Sequence, residues 1–334
     1  MKPTLLDLLA CPSCAHDLTP TVRARDGEEI MEGDLRWTSC SQNFPIRRGI
    51  PRFAEVIGEV EAATAEAFGY EWTRYSELAQ RYKQQFLDWI RPVTPDFFRN
   101  RLVLEGGCGK GRHTALAAEF GARAIVAMDL SIAVESAFTN TRQLPNVHIV
   151  QADLNNPPVK KVFDYAFSIG VLHHLPDPER GFRALVSKLR PGGCISAWVY
   201  GREGNGWIVH IVTPLRERLF TRLPHGLLDL FSAALTVPLY LATKLLYRPS
   251  GGTALNRMLP YAPYLTYIGA FPYREQRSIV FDHLVAPVAF YLRKDEFSGW
   301  FDRAALKEVR IEHHNANSWR GFGSVPAQAN RVVA

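Results

Sequence analysis

Short apolar runs alternate along this chain with longer segments whose apolar positions recur at helical spacing. Leu102–Leu104, Ala124–Met128, Val147–Val150, Phe163–Ile169 and Cys194–Tyr200 read as strands buried on both faces, and Arg112–Phe120 reads as a helix between the first two. Alternation of that kind predicts a parallel sheet with helices on both sides. Upstream, Glu59–Ile90 has helical spacing and ends before Pro92 and Pro95. Downstream, Asp295–Leu306 reads as an amphipathic helix, and Lys307–His313 with Ser318–Val325 as an antiparallel pair.

The first strand runs into Glu105-Gly-Gly107-Cys-Gly109-Lys-Gly111. Glycines at 107, 109 and 111 allow a tight turn that lets a cofactor approach the main chain at the strand end. A dinucleotide fingerprint needs G-x-G-x-x-G, but Arg112 stands where the third glycine belongs, which disfavours a nicotinamide dehydrogenase. Acids end the next two strands: Asp129, eighteen residues after Gly111, and Asp153. Taken singly, such acids can equally be solvated caps, and the glycines plain turns.

An acid followed by G-x-G-x-G, then Asp129, Asp153 and the Val171-Leu-His-His-Leu175 turn, in that order, resembles the class I S-adenosylmethionine (SAM) methyltransferases. The resemblance covers residues 95–201 and, more weakly, 293–325. It implies an α/β, Rossmann-like sheet of seven strands and SAM as cofactor. Carried over residue by residue, it gives cofactor binding to Glu105, Gly107, Gly109, Gly111, Asp129, Leu130, Asp153, Leu154 and Ser168, with Asp129 on the ribose and Asp153 on the adenine amino group. In similar enzymes the preceding helix lies over the cofactor, which makes Tyr70 and Trp72 candidate pocket walls; the plainer reading packs them onto the sheet.

The first 53 residues, through Leu5–Leu18 and Phe44–Phe53, resemble the small zinc-ribbon family typified by an activator subunit of tRNA methyltransferases. Cys11 and Cys14 form one knuckle, and Cys40 remains from the second, whose partner position holds Trp37. Three thiols and at best His16 fall short of the four ligands of a closed structural site, so a metal-free module is expected and zinc is not. The five cysteines are odd in number, which argues against a disulfide framework and for a reducing, cytoplasmic setting. Residues 2–10 lack the apolar core of a signal peptide.

The expected organisation is a ribbon-like module (1–55), a helical lid (56–95), the SAM-binding core (96–201), a helical insertion (202–292) and the closing elements of the core (293–334). The chain of 334 residues carries a net charge of +6, and Arg202–Arg293 holds ten Lys or Arg against five acids. Residues 1–55 hold seven against eight. A module without a basic face argues against nucleic acid as partner. Basic flanks around the apolar run Leu227–Thr243 suit either a plain helical cap or a lipid-like ligand, with peripheral contact to an anionic membrane at its inner face. Asp229 and Pro238 interrupt that run and argue against a spanning helix. The expected acceptor is therefore a small or lipid-linked molecule. An RNA methyltransferase and a silent docking module are the alternatives.

SAM chemistry needs alignment of the acceptor and exclusion of water, and a base only where the acceptor must lose a proton. His173 and His174 stand past the fourth strand as candidate bases, and Tyr200 and His283 as candidate acceptor contacts; a structural role for the histidines is equally open.

Overall fold

The computed structural model describes residues 1–37, 40–54, 58–77 and 82–327. The expected module boundary at 55–56, lid residues 78–81 and the tail from 328 lie outside the described residues.

Four antiparallel strands open the chain: β1 (Thr19–Asp26), β2 (Glu29–Arg36), β3 (Asn43–Arg47) and β4 (Ile50–Pro51), in that spatial order. Leu5, Leu9, Ile30, Leu35 and Phe44 bury their side chains in the same cluster as Val126 and Val150 of the central sheet and Val159 of the connection that follows residue 151. Backbone pairing strengthens the contact: Ala10 N–H donates to the Pro158 carbonyl at 3.0 Å and Phe53 N–H to the Gln151 carbonyl at 2.8 Å. Helices α1 (Glu59–Arg74) and α2 (Tyr82–Trp89) follow.

The central sheet begins with β5 (Leu102–Gly106), α3 (Arg112–Glu119), β6 (Ala124–Asp129), α4 (Val134–Thr141), β7 (Val147–Gln151) and β8 (Phe163–Ile169). Asp177 accepts from Arg180 N–H at 3.0 Å, and Pro178 starts α5 (Pro178–Val186), an acidic cap and a proline both suited to a helix N-terminus. β9 spans Leu189–Tyr200 and so absorbs the Arg190–Gly193 turn, which pairs irregularly opposite Phe163–Tyr165.

The insertion is helical: α6 (Thr213–Arg218), α7 (His225–Ala242), α8 (Arg248–Ser250), α9 (Ala254–Met258), α10 (Ala262–Ile268) and α11 (Tyr273–Val285). Then α12 (Lys294–Arg303), β10 (Lys307–His314) and β11 (Ser318–Ser324) complete the chain's described elements. The seven strands lie in the order β10-β11-β9-β8-β5-β6-β7, parallel except that β11 runs antiparallel to both neighbours. This is the Rossmann-like sheet of seven strands that the resemblance implied. All seven residues of β8 are buried, as a central parallel strand covered on both faces requires.

Asp229 and Pro238 do not interrupt the helix as the sequence suggested. The helical rod 225–250 passes through Pro238 and Asp229 and is long and apolar enough, by length and composition, to cross a membrane. Asp229 does not break it because its carboxylate is used: Arg277 pairs with it at 2.7 Å, Arg74 at 3.4 Å, and Tyr75 donates to it at 3.0 Å. These bonds tie α7 to α1 and α11.

Candidate active site

At the carboxyl ends of β5, β6 and β7 the chain opens one cavity of about 990 Å³. Its floor is the glycine turn. Gly107 sits at φ +81°, and a Cβ there would lie 2.2 Å from Val171 Cγ2, so only glycine fits. Gly109 at φ +51° lies under the Trp72 indole. Asp129, at the end of β6, ties the turn down: Oδ2 accepts from Gly109 N–H at 2.8 Å, and Oδ1 accepts from Ser131 N–H at 2.9 Å and Oγ at 2.7 Å. Burial nevertheless raises the Asp129 pKa above its ordinary value.

Gly107, Gly109, Asp129, Leu130, Asp153, Leu154, Trp72 and His174 all line the cavity. Five other candidates stand behind the wall. Glu105 is buried beneath the turn, accepts a hydrogen bond from Thr114, and is pushed up to about 8 by burial. Gly111 is packed on Ala137 and Thr141 at the start of α3. Ser168 donates to the Gly106 carbonyl at 2.8 Å and is fully buried. Tyr70 packs its ring on His225 and Phe281, under the cap. His173 is buried with neither ring nitrogen partnered, its ring 3.9 Å from that of Tyr200.

The two histidines therefore differ. His174 Nδ1 lies 2.7 Å from the Val288 carbonyl, which can only accept, so the proton sits on Nδ1 and Nε2 keeps its lone pair. Burial lowers the His174 pKa, with Asp282 pulling the other way, and the ring is neutral at pH 7. Tyr200 donates to Asp282 Oδ2 at 2.8 Å, and its ring lies 5.6 Å from that of His283; all three line the same wall.

Two cations enter the wall beside the turn, and neither was singled out as a binding group from sequence. Lys110 is buried, donates to the Tyr75 carbonyl at 2.7 Å, and is lowered to about 8 by burial and by neighbouring Arg112. Arg112 lies over the rings of Tyr82 at 5.0 Å, Trp72 at 5.4 Å and Trp89 at 5.8 Å. The residue that breaks a dinucleotide fingerprint thus becomes a stacked, charged wall. Glu71 is the other unanticipated group: fully buried, it accepts from Ser278 at 2.8 Å through Oε1 and leaves Oε2 without a partner, and burial raises its pKa strongly. No pattern in α1 marks it, because its neighbours come from the insertion.

In the module, the Sγ atoms of Cys11, Cys14 and Cys40 lie within 4.8 Å of one another, with Cys11 and Cys40 at 3.6 Å. His16 stacks on Trp37 and turns Nδ1 to the Cys14 carbonyl at 2.9 Å. Three thiols converge, and among the described residues no fourth donor joins them.

Residues 104–197 match the family described as a methyltransferase domain. A tRNA U34 carboxymethyltransferase of Pseudoalteromonas translucida is 35% identical over 182 residues, 53% of this chain and 50% of that protein. One of Cellvibrio japonicus is 30% identical over 115 residues, 32% of this chain and 36% of that protein. The chain spans half or less of the length of these relatives. Among solved structures, magnesium protoporphyrin IX methyltransferase from Synechocystis PCC 6803 with bound SAM aligns over 81% of this chain and 99% of its own, at 11% identity and a TM-score of 0.46.

The relatives' names overturn the expectation of a small or lipid-linked acceptor and with it the expectation against nucleic acid. The positive charge lies in the insertion, which lines the cavity, and not in residues 1–55. The residues that match the methyltransferase domain, 104–197, build the central strands of the seven-stranded sheet.

Proposed function

We propose that this chain is a SAM-dependent methyltransferase whose acceptor is RNA. The observation that carries the reading is the single cavity: the glycine turn, Asp129 and Asp153 stand at one end, and an aromatic, histidine-bearing wall from β9 and the insertion at the other. Its volume of about 990 Å³ is at the upper end of ordinary ligand pockets and leaves room for a cofactor and an acceptor base together. The tRNA-modifying relatives and the positive insertion favour RNA over other acceptors.

The residues present fit SAM. The cradle at Gly107 is one that any Cβ would fill. Asp129 and Asp153 would hold the nucleoside part, Leu130 and Leu154 the ring, and Lys110 with Arg112 the carboxylate of the amino-acid part. When bound, SAM supplies a methyl group already activated by its sulfonium.

The chain's own work is then alignment and proton transfer. Trp72, Phe68 and the cap helices close the cavity around the reacting atoms and keep water out. His174 Nε2 takes the proton that the acceptor atom loses as its new bond to carbon forms, and the Val288 carbonyl holds the ring for that task. Asp282 fixes the Tyr200 hydroxyl, which gives the acceptor a positioned aromatic edge. Calorimetric titration with SAM and its demethylated product tests the cofactor half of the proposal, with NAD as control. Micromolar SAM binding that Asp129→Ala abolishes supports it, and binding of NAD alone refutes it.

A further inference from the structure

Among the described residues the largest fully buried side chain is Arg216 on α6, with 1% of its surface exposed. Among the described residues no carboxylate lies within ion-pair distance of it, and its Nε and Nη2 have no hydrogen-bond partner. Those two nitrogens share one edge of the guanidinium, the edge that grips an oxyanion with two parallel N–H bonds. Asp282, which lines the same cavity, accepts from the Tyr200 hydroxyl at 2.8 Å and forms no ion pair with Arg216.

A buried charge without a counter-charge is expensive, and folds retain one only where something compensates it. The surroundings supply further donors, and the one acid whose charge reaches the same groups is Asp282. Thr213 Oγ1 is also buried without a partner, and the Tyr291 hydroxyl has only the Arg216 guanidinium beside it. Thr213 stands three residues before Arg216, on the same helical face. Tyr291 lines the cavity, as do Val212 and Leu215 beside Arg216 on the chain. Burial pushes the Tyr291 hydroxyl up to about 12, while the Arg216 charge is close enough to oppose that push. The same charge also lowers the proton affinity of His174 and His283, on the cap side of the cavity.

We propose that Arg216, with Tyr291 and Thr213, is a phosphate subsite that holds the phosphate of a single nucleotide extruded from the RNA acceptor into this cavity. The inference rests on the RNA reading above and says how the acceptor enters. An enzyme cannot reach a base inside a stack and must draw it into a pocket, where aromatic faces replace its neighbours. Tyr200, Tyr264 and Tyr291 supply such faces in the cap wall. The Arg216 cation then meets the one charge a nucleotide always carries. Lys110 and Arg112 are engaged beside the glycine turn, by the Tyr75 carbonyl and the Trp72 ring, and are assigned to the cofactor end.

The test is calorimetric titration of the whole protein, saturated with the demethylated cofactor, using uridine 5′-monophosphate, uridine and inorganic phosphate as probes. Wild type is expected to bind the monophosphate at least about tenfold more tightly than uridine, with inorganic phosphate competing. Arg216→Met should erase that preference and leave uridine binding unchanged, and Arg216→Lys should keep only part of it, because an ammonium lacks the two-pronged edge. Equal affinity for nucleotide and nucleoside in wild type overturns the proposal, as does a preference that survives in Arg216→Met. Retained binding of the demethylated cofactor shows that a variant is folded; should Arg216→Met fail that check, the wild-type and Arg216→Lys titrations decide. A phosphate preference without methyl transfer to RNA would keep the subsite and remove the RNA reading. Methyl transfer to RNA with an unchanged KM in Arg216→Met would do the reverse.

Discussion

Replacing Gly107 by alanine isolates how the cofactor turn is made. Two costs combine there. At φ +81° an L-residue loses about 1–2 kcal/mol to backbone strain. The new methyl would also lie 2.2 Å from Val171 Cγ2, 2.5 Å from Cγ1 and 2.7 Å from Cβ, an overlap that core packing relieves only at about 1–3 kcal/mol. Gly27 provides the control, since it has φ +59° with nothing within 4 Å of the added carbon. Equilibrium urea unfolding should therefore show Gly27→Ala losing about 1–2 kcal/mol and Gly107→Ala about 2–5 kcal/mol. Val171→Ala, which removes both γ carbons, should recover part of the difference in the double variant and none of it in combination with Gly27→Ala. Equal losses at the two glycines, or a double variant that recovers nothing, would refute the claim that Val171 presses the turn into shape.

Asp229→Asn leaves Arg277 and Arg74 without their shared anion and should cost on the order of 3 kcal/mol in the same unfolding assay, with α7 becoming the first segment to exchange amide hydrogens. Acid should destabilise the fold through its buried histidines. His148 is lowered to about 4 by burial, so the unfolded chain binds the proton first; stability is full above pH 6.5 and falls as pH drops toward 4. The shift corresponds to about 3 kcal/mol, and His148→Leu should flatten the pH dependence of the unfolding midpoint over that window. His174→Gln should lower kcat by about 10²–10⁴ with cofactor affinity kept, whereas His173→Gln, behind the wall, should change the unfolding midpoint and leave the pH profile of kcat unmoved.

The half of the site assigned to the cofactor was legible because it is local. Gly107, Gly109, Asp129 and Asp153 sit at the ends of consecutive strands, and a strand–turn–helix pattern places strand ends together whatever follows. Even there, burial was not readable: Glu105 and Ser168 belong to the same motifs but face the packing beneath the turn, a distinction set by which face of β5 and β8 each occupies. The acceptor half was opaque because its residues come from three distant segments. Glu71 meets Ser278 across 207 positions, and Tyr200 meets Asp282 across 82. Neither pairing leaves a periodic trace. Pro238 and Asp229 misled for a related reason, since helix continuity through them depends on partners outside α7.

Transfer of isotopically labelled methyl from SAM to unfractionated tRNA, followed by nuclease digestion, tests the central claim most directly. The account predicts label in RNA that nuclease releases as a modified nucleotide, lost in Asp129→Ala. Label that stays out of RNA while the protein binds SAM would contradict it.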